Sequence, residues 1–178
     1  MFLDQGYEAA SVNDVVRMAG GSLATLYAQF GNKEGLFLAV VQDQYERFVR
    51  AVSPVDVDNL GLEEGLQAIG EHFVRGILEP DSLAFFRVVI GEGRKFPEQL
   101  QRYVLVGSDK LRIMIGRFLR ERGAKVEDPE MAASYLIELW RSRHQYLALS
   151  DSSYRLTEQQ VTAHVAAAVR FFLGCAHA

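Results

Sequence analysis

Helix starts recur along this sequence at short intervals, and the two-residue alternation of a half-buried strand is absent. Ser11 stands before 12–18, Ser22 before 23–30, and Asn32 before a long stretch from Lys33 to about Val52. Asp128 stands before 129–149 and Thr157 before 158–174. Each is a short polar side chain able to accept from the unpaired N–H groups of a first helical turn. Asp14 and Gln160 follow Ser11 and Thr157 at capping-box spacing, and Leu156 with Val161 forms a hydrophobic staple. Pro80, Pro97 and Pro129 each open a new apolar-periodic stretch, where a missing N–H costs nothing. Gly6, Gly31 and Gly123 close helices. Further helices are expected over about 62–78 and 82–93, while 97–122 reads as one helix or two, interrupted near Gly107. With the tail of a helix at 1–4, the pattern predicts nine helices, no strand and an all-α fold.

A chain of 178 residues accommodates one large domain or two small ones. The stretch SPVDVDNLG around Pro54 is the most loop-like, and it divides a region over 1–50 from one over 51–178. With 19 Lys and Arg against 23 Asp and Glu, the net charge of −4 excludes a polycation but leaves room for a local basic patch. Cys175 is the only cysteine, so no internal disulfide forms, and a reducing, cytoplasmic setting is expected. No apolar run is long enough for a membrane span, and no secretory leader is read.

Two short helices with Ala19-Gly20-Gly21 between them have the layout of a helix-turn-helix. Ala19 lets the helices cross closely, and Gly20 can adopt the left-handed backbone of the turn. In the second helix Leu26 and Phe30 are four residues apart and are expected to face inward. Thr25 and Gln29 form a parallel pair on a more polar face, of the kind that meets base edges and phosphates in a major groove. Tyr27 can offer its hydroxyl to a phosphate, and Lys33 can meet one together with the N–H groups that open the next helix. The same layout also serves as a packing motif, with Leu23, Leu26, Tyr27 and Phe30 as one buried stripe. Within 1–50, Arg17, Lys33, Arg47 and Arg50 stand against Asp4, Glu8, Asp14, Glu34, Asp43 and Glu46, a net charge of −2. That is thin electrostatic support for binding a polyanion.

The stretch GYEAASVNDVVRMAGGSLATLYAQFGNKEGLFLAVV resembles the DNA-binding region of the tetracycline-repressor (TetR) family of bacterial regulators. The resemblance lies in Gly6-Tyr7, Ser11-Val12, Ala19-Gly20, Ser22, Thr25-Leu26-Tyr27, Phe30, Asn32-Lys33-Glu34 and Leu36. It implies a homodimer on a palindromic double-stranded DNA operator, with a C-terminal helical domain that senses a small-molecule effector. Carried over residue by residue, it makes Ser11, Ser22, Leu23, Ala24, Thr25, Tyr27, Ala28 and Lys33 the DNA-facing set. Gly21 departs from the family's usual apolar residue, and Leu23 and Ala28 stand where polar or basic residues are frequent. The family's first helix also extends well before the Phe2 position, so an upstream segment is expected.

The region 62–178 carries no nucleophile elbow, P-loop or paired-cysteine motif, so no enzyme, cofactor or metal is expected. His72, His144, His164 and His177 lack the spacing of a helical metal pair. Phe86, Ile90, Tyr103, Met114, Phe118 and Tyr135 are the expected effector-pocket residues, with Arg87 and Glu92 as possible polar contacts. FFRVVIGEGRKFPEQLQRYVLVG resembles the C-terminal domain of an AefR-like branch of the same family. The last two helices are apolar on more than one face, which suits a two-fold four-helix interface built on Ala132, Leu136, Trp140, Val165, Val169 and Phe172. The alternatives are a larger monomeric core and a helical small-molecule-binding protein that has lost DNA binding.

Overall fold

The computed structural model describes residues 1–52 and 55–175, with the side chains of 102–108 outside the description. Among the described residues the chain is helical and has no strand. The helices are α1 (Phe2–Ala9), α2 (Val12–Ala19), α3 (Leu23–Phe30), α4 (Lys33–Ala51) and α5 (Leu62–Leu78). They continue as α6 (Pro80–Glu92), α7 (Pro97–Glu121), α8 (Pro129–Ser150) and α9 (Glu158–Cys175). Residues 97–121 form one continuous helix rather than two. Pro54 and the side chain of Tyr103 lie outside the described residues.

The caps are where the short polar residues stand. Ser11 Oγ accepts from Asp14 N at 3.3 Å, Ser22 Oγ from Thr25 N at 3.1 Å, and Asn32 Oδ1 from Gly35 N at 2.8 Å. Asp128 Oδ1 accepts from the N–H groups of Glu130 and Met131. At Thr157 the capping box is complete, with Gln160 N donating to Thr157 Oγ1 and Thr157 N to Gln160 Oε1. The carboxylate of Asp14 goes elsewhere, to Arg17 at 2.6 Å. Among the described residues, two kinks interrupt the helices. Gly6 turns α1 with φ 76, and Ser142 turns α8 with φ 42, a value that strains a residue bearing a Cβ.

Two apolar clusters hold the helices together. The larger is built from α5, α7, α8 and α9 around Leu66, Phe73, Ile77, Leu119, Leu136 and Trp140. Gly70 is required there, because a Cβ would stand 2.6 Å from both the Trp140 ring and Val165. The second joins Phe2, Phe37, Val41 and Tyr45 to Phe85, Val88, Val89, Phe96 and Leu100. This second cluster crosses the expected boundary between residues 50 and 51. α4 starts in the helix-turn-helix region and ends against α5, where a Cβ on Gly76 would meet the Ala51 carbonyl at 2.7 Å.

Candidate nucleic-acid interface

α2 and α3 meet through a turn in which Gly20 adopts φ 69 and sends its N–H back to the Val16 carbonyl. Gly21 is exposed, with open space around its α-carbon. On α3 the two faces divide as the spacing requires. Leu26 and Phe30 are half-buried against the cluster shared with α4. Leu23 (38% exposed), Ala24, Thr25, Tyr27 (44% exposed) and Ala28 point to solvent. With Leu23 and Tyr27 exposed and only Leu26 and Phe30 turned inward, Leu23, Leu26, Tyr27 and Phe30 do not form one buried stripe. Ser22 Oγ lies 2.9 Å from Thr25 Oγ1 as well as capping the helix, so the two hydroxyls share a hydrogen bond. Ser11 is half-buried at the N-cap of α2.

Lys33 is already engaged within the chain. Its Nζ donates to the Glu8 carbonyl at 3.0 Å and stands 4.9 Å from the centre of the Tyr7 ring. Lys95 stands 4.3 Å from the same ring and pairs with Glu8. The Tyr7 ring rests edge-on against Phe37 and Phe96, at 5.2 and 5.0 Å between centroids. Burial, then the nearby Glu34 and Glu92 charges, raises the Tyr7 phenol above its usual pKa, so it stays neutral. This joint between the first helix and the end of α6 was not foreseen. Gly6, Tyr7 and Glu92 were each singled out, but no spacing rule links positions 85 residues apart.

The expected effector residues do not converge. Met114 and Phe118 line a cavity of about 680 Å³ between α7 and residues 55–58, together with Val55, Val57 and Ile113 and the charged Asp56, Asp58, Lys110, Arg117 and Glu121. Phe86 packs edge-on against Phe48 of α4 at 5.2 Å, away from that cavity. Ile90 is 68% exposed. Tyr135 lies on a different surface, and Arg87 donates to the carbonyls of Ala148 and Leu149 at the end of α8.

The expected interface residues also fall differently. Leu136, Trp140, Val165 and Val169 are buried in the chain's own core, and Ala132 and Phe172 are nearly so. What α8 and α9 turn outward is a groove of about 1010 Å³. It is lined by Met131, Tyr135, Leu139, Ser142, Phe171 and Cys175, with Ala132 and Phe172 among its walls. The helical pattern indicated that α8 is apolar on more than one face but not which face turns outward, because Leu136 and Trp140 are as apolar as Met131, Tyr135 and Leu139. Among the described residues no helix is long and apolar enough to cross a membrane, and no three His, Cys, Asp or Glu side chains gather as metal ligands.

A small-turned helix pair with an outward second helix, carried on a larger helical body, defines the class of helix-turn-helix regulators. Residues 1–40 match the family described as bacterial regulatory proteins, tetR family, and residues 64–176 match the AefR-like transcriptional repressor C-terminal domain. The chain belongs to the TetR family of DNA-binding transcriptional regulators. Over 48 residues it is 50% identical to the HTH-type transcriptional repressor ComR of Escherichia coli strain K12, covering 27% of this chain and 23% of ComR. Over 85 residues it is 32% identical to the HTH-type transcriptional activator FasR of Mycolicibacterium smegmatis, covering 48% of this chain and 38% of FasR. The matches thus span well under half the length of these relatives. The fold is similar to that of the Flavonoid-responsive Regulator FrrA, with TM-score 0.78 and 28% identity over 98% of this chain and 90% of FrrA. A TetR-family regulator of Mesorhizobium loti has the same fold, with TM-score 0.78 and 24% identity over 98% and 90% of the two chains.

Proposed function

We propose that this chain acts as a homodimeric repressor, cytoplasmic and without enzymatic activity, that binds a palindromic operator and leaves it when a small molecule enters the helical body. The observation that carries the reading is the outward face of α3, where Leu23, Ala24, Thr25, Tyr27 and Ala28 are exposed while Leu26 and Phe30 anchor the helix. Thr25 and the Tyr27 hydroxyl supply polar contacts, Leu23 suits a thymine methyl, and Ser11 and Ser22 lie at helix starts where phosphates bind. Lys33 contributes a further charge beside the start of α4. The groove holding Met131, Tyr135 and Phe171 is the surface on which a second copy pairs, since it is continuous with the two long helices that already form the core. The cavity at Met114 and Phe118 suits the apolar part of an effector. The domain division at 50/51 then separates DNA reading from sensing, with α4 shared between them.

The test is a salt-controlled duplex-shift titration with DNA from immediately upstream of the protein's own gene, against an unrelated duplex of equal length. Selective binding at low salt is the expected result, and equal binding of both duplexes sinks the reading. Mass measurement in solution tests pairing: Tyr135→Glu or Phe171→Glu in the groove should give monomers if a second copy sits there.

A further inference from the structure

We infer that Glu92, at the end of α6, is a positioning residue for DNA reading: its carboxylate holds the Gly6–Tyr7 corner and sets the angle at which the helix-turn-helix region leaves the body. The inference rests on the regulatory reading above and assigns it a specific joint. The kink at Gly6, with φ 76 and ψ 179, interrupts α1, and the N–H of Tyr7 just after it donates to Glu92 Oε1 at 2.8 Å. A Cβ at position 6 would stand 2.9 Å from the same oxygen, so the close approach of carboxylate and backbone depends on glycine. The next residue, Glu8, pairs through its side chain with Lys95, just beyond α6, and through its carbonyl with Lys33, at the start of α4. The Tyr7 ring closes the assembly between the two lysines and against Phe37 and Phe96.

Three separate parts of the chain therefore meet within the Gly6–Glu8 segment. Lys33 follows the Asn32 cap directly and lies three residues after Phe30, the end of α3. The orientation of α3 is thus tied through Lys33 to Glu8, and through Glu8 and Tyr7 to the end of α6. A paired reader must place two second helices on two half-sites at one separation. Looseness at this corner removes selective binding while leaving sequence-independent attraction to phosphates unchanged. Glu92 belongs to the body, so it acts on DNA only through Tyr7.

The experiment uses the whole chain with Glu92→Ala, Glu92→Gln and Gly6→Ala. Three quantities are measured: selectivity for the upstream duplex over a random one, hydrogen exchange at the Tyr7 amide, and the thermal midpoint. Glu92→Ala should lower selectivity about tenfold or more, keep random-duplex affinity, and abolish protection of the Tyr7 amide. Glu92→Gln retains an accepting oxygen and should keep most of both. Gly6→Ala crowds the same corner while leaving the carboxylate in place, and should repeat the loss even if Glu92→Ala folds poorly. Wild-type selectivity in Glu92→Ala overturns the proposal, as does an unchanged Tyr7 amide or an equal loss in Glu92→Gln. A wild-type chain without selectivity sinks the regulatory reading itself, a failure seen before any variant is made.

Discussion

His164, on α9, donates from Nε2 to the carbonyl oxygen of Trp140, on α8, at 2.8 Å. A carbonyl oxygen only accepts, so this ring nitrogen carries the proton. Two residues beyond Trp140, α8 kinks at Ser142, and on the far side His144 Nδ1 lies 2.5 Å from Tyr154 Oη. The two imidazoles stand edge to face, 4.4 Å apart. α9 and the loop before it therefore brace α8 on both sides of its kink. Replacing His164 with Ala should destabilise the fold by about 1–3 kcal/mol, through a lost hydrogen bond and an uncompensated half-buried carbonyl. Urea unfolding measures this, and an unchanged midpoint would show that the bond is not made in solution.

Ser142 itself offers an opposite outcome. Its φ of 42 is one that glycine adopts without steric cost, whereas any Cβ there is strained. In a regular helix interior, serine to glycine loses stability. At this kink, Ser142→Gly should instead gain roughly 1 kcal/mol. A loss in chemical denaturation would mean that α8 runs straight.

His144 makes stability depend on pH. Burial, then the neighbouring His164 and Arg143 charges, lowers its pKa below the usual histidine value. The unfolded chain then binds the proton more readily than the folded one, so this contribution is present above the ordinary histidine pKa and is lost as pH falls through the lowered one. The thermal midpoint should fall on acidification from neutral pH, and less so in His144→Gln, where nothing titrates at that position. Equal slopes for the two proteins would exclude His144 as the source.

Most helix starts were legible because each depends on one residue and its neighbours within a turn, whereas Gly6, expected to close the first helix, only kinks α1, which continues to Ala9. Ser22, Asn32, Asp128 and Thr157 all cap the helices their chemistry announces. The outward set on α3 was legible for a similar reason, since Leu26 and Phe30 settle which face turns in. What sequence could not show depends on contacts between distant residues. Leu136, Trp140, Val165 and Val169 have the pattern of an interface, but apolar spacing is the same whether a face meets its own chain or another. The grip of Glu92 on Tyr7 is a side chain meeting a backbone amide, and backbone amides leave no mark in a sequence. The kink at Ser142 has no glycine or proline to signal it.

Gly65 and Phe118 provide a test of packing between α5 and α7. A Cβ on Gly65 would fall 2.2 Å from the Phe118 ring, and nothing short of moving that ring makes room. Gly65→Ala should cost about 1–3 kcal/mol by overpacking, despite the better helix propensity of alanine. Adding Phe118→Leu should recover part of that loss, giving a favourable coupling in a double-mutant cycle. Strict additivity of the two changes would mean that the ring does not fill that space. Because Phe118 also lines the cavity beside residues 55–58, the paired variant should alter that cavity's shape without unfolding the helix-turn-helix region.

The charges near α3 set the expected salt response on DNA. Arg17 pairs with Asp14, Lys33 is bonded to Glu8, and Arg47 is shared between Asp43 and Asp81 of α6. Of the four cations within residues 1–50, Arg17 lies on α2 and Lys33 opens α4 just after α3. A dimer bringing these two from each copy to phosphates, roughly four cations, should show log affinity falling with log salt at a slope near −4 or shallower. Tyr27 adds a neutral hydroxyl, which releases no counterion when it meets a phosphate. Tyr27→Phe should therefore weaken every duplex alike, by about threefold to tenfold, and leave the salt slope unchanged. Titrations at several salt concentrations with matched and mismatched duplexes measure both quantities. A change confined to sequence preference would instead place the Tyr27 hydroxyl on a base edge.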